Sequence, residues 1–439
     1  MITKNFADFI VDTNYNDLPE NVIEKAKLCF LDFLGVTLRG SKTKSAHAVN
    51  EIINENKEST IIGHSQSTVL DSALANGIAA HSLDLDDGNR MAQLHPGTCV
   101  IPAALAVCEA NNKNGKEFIS SIVTGYEIAI SLGKLVNPEH RNRGFHSTGT
   151  CGTFGAAAAV CKALNLEKKQ TINVLGLAGT QACGLLESDH TGSMGKHLHA
   201  GKAAQSGILS ALLAKEGFTG ASSIIEGEEG FLSAMVGPTA LKKQVELGNF
   251  HILDVYFKKY PVCRHLHSTI DAALEIIKNN ELNAEDIQKI NVKTYKIAAN
   301  HDNYNPKSIE ALRQSLPLSL AIALKNKDLN LDVLETNKDI AEISNKIVIE
   351  CSENLDDLYP HKRSSEIKIQ TNDQFYYNRV DLPKGEPENQ FTKQELLDKF
   401  HSLNSHVNID IMEIVDNLES YNVKKLMIML NKEFKGQDN

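Results

Sequence analysis

The sequence predicts a mainly α-helical protein with a smaller α/β module inserted toward its C-terminal half. Three observations carry this. Up to about residue 258, apolar residues recur at helical intervals in runs rich in Ala and Gly, with little β-branched alternation. Near residue 259 the texture changes to segments that alternate apolar and polar residues, as half-buried strands do. Beyond residue 390 the helical pattern returns. The expected architecture is therefore a helical domain made of residues 1–258 with 390–439, and a smaller α/β domain of residues 259–389 between them.

In chain order, residues 20–38 place Val22, Ala26, Cys29, Leu31 and Phe33 on a helical repeat. Residues 68–83 and 100–110 are Ala/Leu-rich. The apolar run 117–135 stops at the breaker Asn137-Pro138. Residues 152–166 and 203–218 are further helices, the second closed by Gly217, a C-terminal cap residue. In the inserted module, 289–297 and 345–351 read as strands. Residues 364–380 read as a hairpin turning at Thr371-Asn372-Asp373. Helices are expected at about 268–279, 308–325 and 338–345. Thr392 and Glu395 form a capping-box pattern that opens a helix containing Leu396, Leu397 and Phe400, and tail helices follow over 408–435.

The chain has 439 residues, enough for a large core, and a formal net charge of -10. An acidic surface argues against non-specific nucleic-acid binding. It also makes any local cluster of Lys, Arg and His informative, because an anionic ligand needs a positive site. The eight cysteines (29, 99, 108, 151, 161, 183, 263 and 351) stand singly, without the spacing of a zinc or iron–sulfur site. They read as reduced thiols of a cytoplasmic protein. The N-terminus lacks the pattern of a signal peptide, and no window is expected to reach the length of a membrane span.

Four stretches concentrate groups able to do chemistry. In 81–98, Asp84, Asp86 and Asp87 precede Gly88, where a helix is expected to end, and a loop then delivers His95-Pro96-Gly97. Acids at a helix C-terminus oppose its dipole, so something else must favour them, although simple solvation accounts for Asp86 and Asp87. In 141–159, His146 precedes Ser147 and Thr148 at a helix start, whose free N–H groups suit an anion or simply a cap. In 189–204, Lys196, His197, His199 and Lys202 stand among glycines; Lys196 and His199 are three apart and share a helix face. The alternative there is an exposed basic loop. In 258–274, Arg264, His265 and His267 open a helix at the change of texture. No H-E-x-x-H and no G-x-S-x-G occurs, so neither a zinc hydrolase nor a serine nucleophile is supported. Lys, Arg and His together suit carboxylate binding with proton transfer beside a carboxylate.

In this order the strings AHSLDLDDG…HPGT, GFHSTGTCGTFGAAAA, GSMGKHLHAGKAAQSG, GFTGASSIIEGEEGF, KYPVCRHLHSTIDAA and KGEPENQFTKQELLDKF resemble the MmgE/PrpD family. That family includes 2-methylcitrate dehydratase, cis-aconitate decarboxylase and iminodisuccinate epimerase. The resemblance covers nearly the whole chain. It implies a helical domain with an inserted α/β lid, a homodimer, a site between the two, and neither cofactor nor metal. It implies a lyase acting on a small di- or tricarboxylate, with an epimerase of an amino- or imino-dicarboxylate or a non-catalytic carboxylate-binding protein as alternatives. Matched residue by residue, its site positions fall on Asp84, His95, His146, Lys196 and His267. Arg90, Arg264 and His199 are the expected substrate ligands. The chain departs from the dehydratase and decarboxylase pattern after the first acid, where Gly88-Asn89-Arg90 replaces a Thr-Trp pair. On this expectation Lys196 stabilises an enolate-like charge, His95 or His146 removes a proton, and His267 or Asp84 returns one.

Overall fold

A computed structural model describes residues 1–237, 244–337 and 339–436. The chain divides into two compact units. The first comprises Met1–Leu186, Met194–Val255 and Thr392–Asn439; the second comprises Glu187–Ser193 and Tyr256–Phe391. The fold class is the expected one: a predominantly helical protein whose larger sheet lies in the inserted segment.

The first unit is built around helices Gly97–Ala110, Gly115–Val136, Ser147–Ala163 and Gly195–Lys215, with Val69–His81 packed on the last of these. Nearly every residue of Gly97–Ala110 and Ser147–Ala163 is buried, which is why their patterns are apolar all round rather than one-sided. Small residues set the spacing. A Cβ on Gly201 would lie 2.3 Å from the carbonyl oxygen of Leu74, and one on Gly77 would lie 2.7 Å from Cα of Gly201. Glycine at both positions lets Val69–His81 and Gly195–Lys215 approach backbone to backbone. That approach holds the C-terminal end of the first helix and the N-terminal turn of the second in one packed body.

Gly115–Val136 is long and apolar enough, by length and composition, to cross a membrane, which corrects the expectation that no window reaches that length. Its most apolar stretch is 94% buried within the protein, so here that composition serves as core. A capping box between Asn114 and Glu117 starts this helix. A short antiparallel ladder, Ser59–Thr60 with Gln66–Ser67, was not anticipated; two residues per strand leave no periodicity to read.

In the second unit four strands run in the order Ile347–Cys351, Lys289–Thr294, Ser365–Gln370, Phe375–Val380. The first pair is parallel and the other two are antiparallel. Ile290, Val292, Ile367 and Ile369 are fully buried on one face, against helices His267–Asn280 and Leu316–Asn326. The hairpin turns at Thr371–Gln374, closed by a 3.0 Å bond from Thr371 N to Gln374 O. The single helix expected over 308–325 is two, Ile309–Arg313 and Leu316–Asn326. Ser315 caps the second through Leu318 N, and Pro317 in its first turn cannot continue a helix from upstream. Of the helix expected over 338–345, residue 338 lies outside the described residues, and one turn, Ala341–Ser344, is formed. The Thr392–Glu395 capping box opens Lys393–Leu403, as expected.

Candidate active site

The Val69–His81 helix ends seven residues before Gly88, not near it. Asp84 sits in the turn that follows, with φ +52, a conformation that Asp tolerates better than most side chains. The segment after it is not solvated. Asp84, Asp86 and Asp87 are each only 4% exposed, which overturns the surface explanation for the last two. Three buried carboxylates need partners, and each has its own.

Asp84 Oδ1 accepts a 3.2 Å ion-paired bond from Lys196 Nζ, in the first turn of Gly195–Lys215. Asp86 Oδ2 faces two imidazoles, His81 Nδ1 at 2.8 Å and His95 Nδ1 at 3.1 Å. Asp87 caps the start of Gly97–Ala110: its Oδ1 accepts from Gly97 N at 3.0 Å and its Oδ2 from the Tyr126 hydroxyl at 2.6 Å. The sequence neighbours therefore behave oppositely. Burial pushes the Asp86 carboxyl up, but His95 and His81 outweigh it and hold it well below the usual carboxylate range. Burial pushes the Asp87 carboxyl up to about 7, with the charges of Asp32 and Asp86 adding to it and the Tyr126 bond opposing.

The imidazoles are packed together. The His81 ring lies 5.1 Å from that of His95 and stacks on that of His146 at 5.8 Å. His146 precedes Ser147–Ala163, and its backbone N–H donates to Gly184 O at 3.0 Å. Its Nδ1 is 2.9 Å from Nδ1 of His199, so one of those two nitrogens carries the hydrogen and the other accepts it. Burial lowers the His146 pKa well below the usual histidine range, and His81, His199, Lys196 and His95 lower it further. Thr148, considered above as a cap, instead accepts from the His95 backbone N–H through its hydroxyl at 3.1 Å.

Six of the eight expected residues thus lie in the first unit. Asp84, His95, His146, Lys196 and His199 belong to this cluster. Arg90 is half-buried in the loop between Asn89 and Leu94, within electrostatic reach of Asp254. His81 and the partner role of Asp86 were missed. The only signal was a histidine closing an apolar helix five residues before an acid. The ligand-type atoms of His81, Asp86 and His95 lie within 4.8 Å of one another, a spacing that could hold a metal ion. Hydrogen bonding accounts for the same geometry, since His95 Nδ1 also lies 2.6 Å from the carbonyl oxygen of Asp87, where it must donate.

Arg264 and His267 lie in the second unit, the arginine in a single 3-10 turn and the histidine opening His267–Asn280. Among the described residues, all five Arg264 N–H groups meet acceptors. Nε and Nη2 donate to Glu386 Oε1 at 3.2 and 3.0 Å, Nη1 to Lys384 O and His267 Nδ1 at 3.0 Å each, and Nη2 to Pro383 O at 3.4 Å. Its guanidinium carbon lies 4.6 Å from the centre of the Tyr256 ring. These bonds hold the guanidinium within the second unit and occupy the fork expected to grip a substrate carboxylate. Since a guanidinium only donates, His267 Nδ1 accepts and its Nε2–H points to Val262 O at 3.3 Å. His267 is fully buried.

The Asp87 environment predicts a pH effect on stability. The folded protein holds this proton to about pH 7, against an ordinary aspartate value of 3.8. The contribution is therefore present at low pH and lost as pH rises from about 4 toward 7, because the unfolded chain ionises first. Asp87→Asn is expected to lose less stability than the wild type between pH 4.5 and 7.5, measured by urea unfolding. Equal losses would remove the raised carboxyl.

Comparison with known proteins bears on both units. Residues 4–244 match the family model described as MmgE/PrpD N-terminal domain, and residues 260–417 match MmgE/PrpD C-terminal domain. Among curated relatives, the chain is 26% identical to the cis-aconitate decarboxylase of Aspergillus terreus over 439 positions, 92% of this chain and 89% of that one. It is 30% identical to the cis-aconitate decarboxylase of Homo sapiens over 292 positions, 63% and 60% of the two chains. It is 24% identical to the mitochondrial 2-methylcitrate dehydratase of Yarrowia lipolytica over 324 positions, 68% and 61%. Coverage is uneven: for some curated relatives the match spans 50% to 60% of their length.

Proposed function

The chain belongs to the MmgE/PrpD family, and from that premise we propose that it is a lyase of a small di- or tricarboxylate that either removes a proton next to a carboxylate and expels hydroxide, or expels carbon dioxide and returns a proton to the carbon left with the electron pair. The observation that carries this reading is the buried cluster itself. An ammonium paired with Asp84 and four imidazoles are gathered in a protein of net charge -10. Such a cluster is costly to maintain without an anionic ligand or a task. The names of the relatives point to the same substrate class, since cis-aconitate and 2-methylcitrate are both tricarboxylates.

In this reading Lys196 neutralises a substrate carboxylate and stabilises the enolate-like charge that develops on it, a task for positive groups placed beforehand. One imidazole takes the proton, and a second group protonates the leaving hydroxyl or the product carbon. We carry a homodimer and a cytoplasmic location with this reading; the dimer follows the family resemblance, and the singly placed thiols support the location. Sedimentation of the purified protein tests the dimer, and fractionation tests the location.

The test is turnover of citrate, methylcitrate, cis-aconitate and iminodisuccinate, with solvent deuterium incorporation followed by NMR. At least one is expected to be converted with exchange at the carbon next to a carboxylate. Binding of these acids with neither conversion nor exchange would leave only a binding protein.

A further inference from the structure

Four imidazoles share the cluster, and their surroundings differ in one decisive respect: carboxylate support. Asp86 is ionised and accepts only, so both nitrogens that face its Oδ2 are N–H donors, His81 Nδ1 at 2.8 Å and His95 Nδ1 at 3.1 Å. The carbonyl oxygen of Asp87, 2.6 Å from His95 Nδ1, demands a hydrogen on the same nitrogen. The neutral His95 ring therefore carries its hydrogen on Nδ1, and Nε2 holds the lone pair. Among the described residues Asp86 Oδ1 has no hydrogen-bond partner, and the two imidazoles meet the carboxylate at Oδ2. When His95 gains a proton on Nε2, the charge is met at once by Asp86. His146 has the opposite surroundings. It is buried, its Nδ1 faces another imidazole, and the charges around it are the potentially cationic His81, His199, Lys196 and His95. Between the two imidazoles that contact Asp86, His81 is fully buried, whereas the His95 side chain retains 14% exposure, enough to be reached.

We infer that His95 is the group that removes the substrate proton, through Nε2, and that Asp86 is its positioning residue, fixing the tautomer and meeting the imidazolium charge, while His146 stays neutral and serves as a hydrogen-bonding group. The inference rests on the proposed reaction for the role of His95, but the tautomer and the Asp86 partnership stand without it. In the step itself, the substrate C–H bond breaks, its hydrogen goes to His95 Nε2 as a proton, and the electron pair stays on the carbon next to the carboxylate. The groups facing His95 that set its titration are Asp86, His81, His146 and Lys196, with Asp84 beyond the lysine and Asp87 behind Asp86.

The experiment is Asp86→Asn, read two ways. Without substrate, NMR of nitrogen-labelled histidine in the wild type is expected to show His95 as the Nδ1–H tautomer, and the variant to titrate at least about 1 unit lower, because an opposite charge in contact has been removed. With substrate, the acidic limb of kcat/KM is expected to move to lower pH by the same amount. At neutral pH kcat is expected to fall roughly 10–100-fold, the range found when an imidazole loses the group that orients it, with KM little changed. Asp86→Glu is expected to restore most of both. An unmoved titration and an unmoved limb would overturn the inference; an Nε2–H tautomer in the wild type would do so on its own. If Asp86→Asn does not fold, His81→Gln replaces it. Freed of one competing imidazole, Asp86 should raise the His95 pKa, and no change overturns the claim. If the wild type converts no polycarboxylate while the titration behaves as stated, the proposed reaction fails and the Asp86–His95 pairing remains.

Discussion

Lys196→Ala is expected to lower kcat/KM by at least ~100-fold, the loss associated with removing one placed positive group from a developing negative charge. The ammonium is half of a buried pair, with Nζ 3.2 Å from Asp84 Oδ1 and both side chains at or below 11% exposure. Truncation does two things at once. In the proposed reaction it removes the charge that stabilises the enolate-like intermediate, and it leaves Asp84 without its cation, pointing repulsion at the same anion. The two can be separated. Lys196→Ala combined with Asp84→Asn removes the stranded carboxylate, so activity recovered in the double variant measures the repulsion, and what stays lost measures the stabilisation. Circular dichroism and melting of each variant establish that the unit is folded. A folded Lys196→Ala enzyme with wild-type turnover would take Lys196 out of the mechanism.

Glu386→Ala is expected to destabilise the second unit by about 3–5 kcal/mol, the cost of leaving buried charge without its partner. One oxygen of Glu386 holds two guanidiniums, Arg264 Nη2 at 3.0 Å and Arg363 Nη1 at 3.4 Å. All three side chains are at most 4% exposed. Both guanidinium carbons also lie over the Tyr256 ring, at 4.6 and 5.1 Å. Removing the carboxylate leaves two positive groups facing one aromatic ring in a dry interior. For a domain whose total stability is about 5–15 kcal/mol, that is a large fraction. Chemical denaturation should show a transition at lower denaturant, and hydrogen exchange should assign it to Tyr256–Phe391. Glu386→Gln, which keeps an acceptor, should lose less. A change under about 1 kcal/mol would mean that water reaches the guanidiniums after all.

The elements were legible where a pattern ran long enough. The capping box at Thr392 and Glu395, the alternation of Ile290 with Val292, and the hairpin around Thr371 each encode a local geometry that tertiary packing did not need to override. Legibility failed where local and global signals competed. Apolar character continues from Ile309 through Leu324, but Ser315 and Pro317 break the helix. The His81 terminus was misplaced because Leu83 and Leu85 prolong the apolar run after the helix has stopped.

For the site, the sequence by itself determined the residue types and their order. Four stretches carry His, Lys, Arg and Asp among small residues, and a -10 protein that gathers cations points to an anionic ligand. What it could not assign was state. Asp86 and Asp87 are adjacent, identical and equally buried, yet one carboxyl is held well below its usual range and the other is raised to about 7. The difference is that His81 and His95 outweigh burial at Asp86, whereas at Asp87 burial and the charges of Asp32 and Asp86 outweigh the bond from Tyr126, 39 residues away. Arg264 looked free to bind a carboxylate until Glu386, 122 residues further on, took its guanidinium. Charge, tautomer and availability depend on the few ångströms around each polar group, and that neighbourhood is assembled only when distant segments pack.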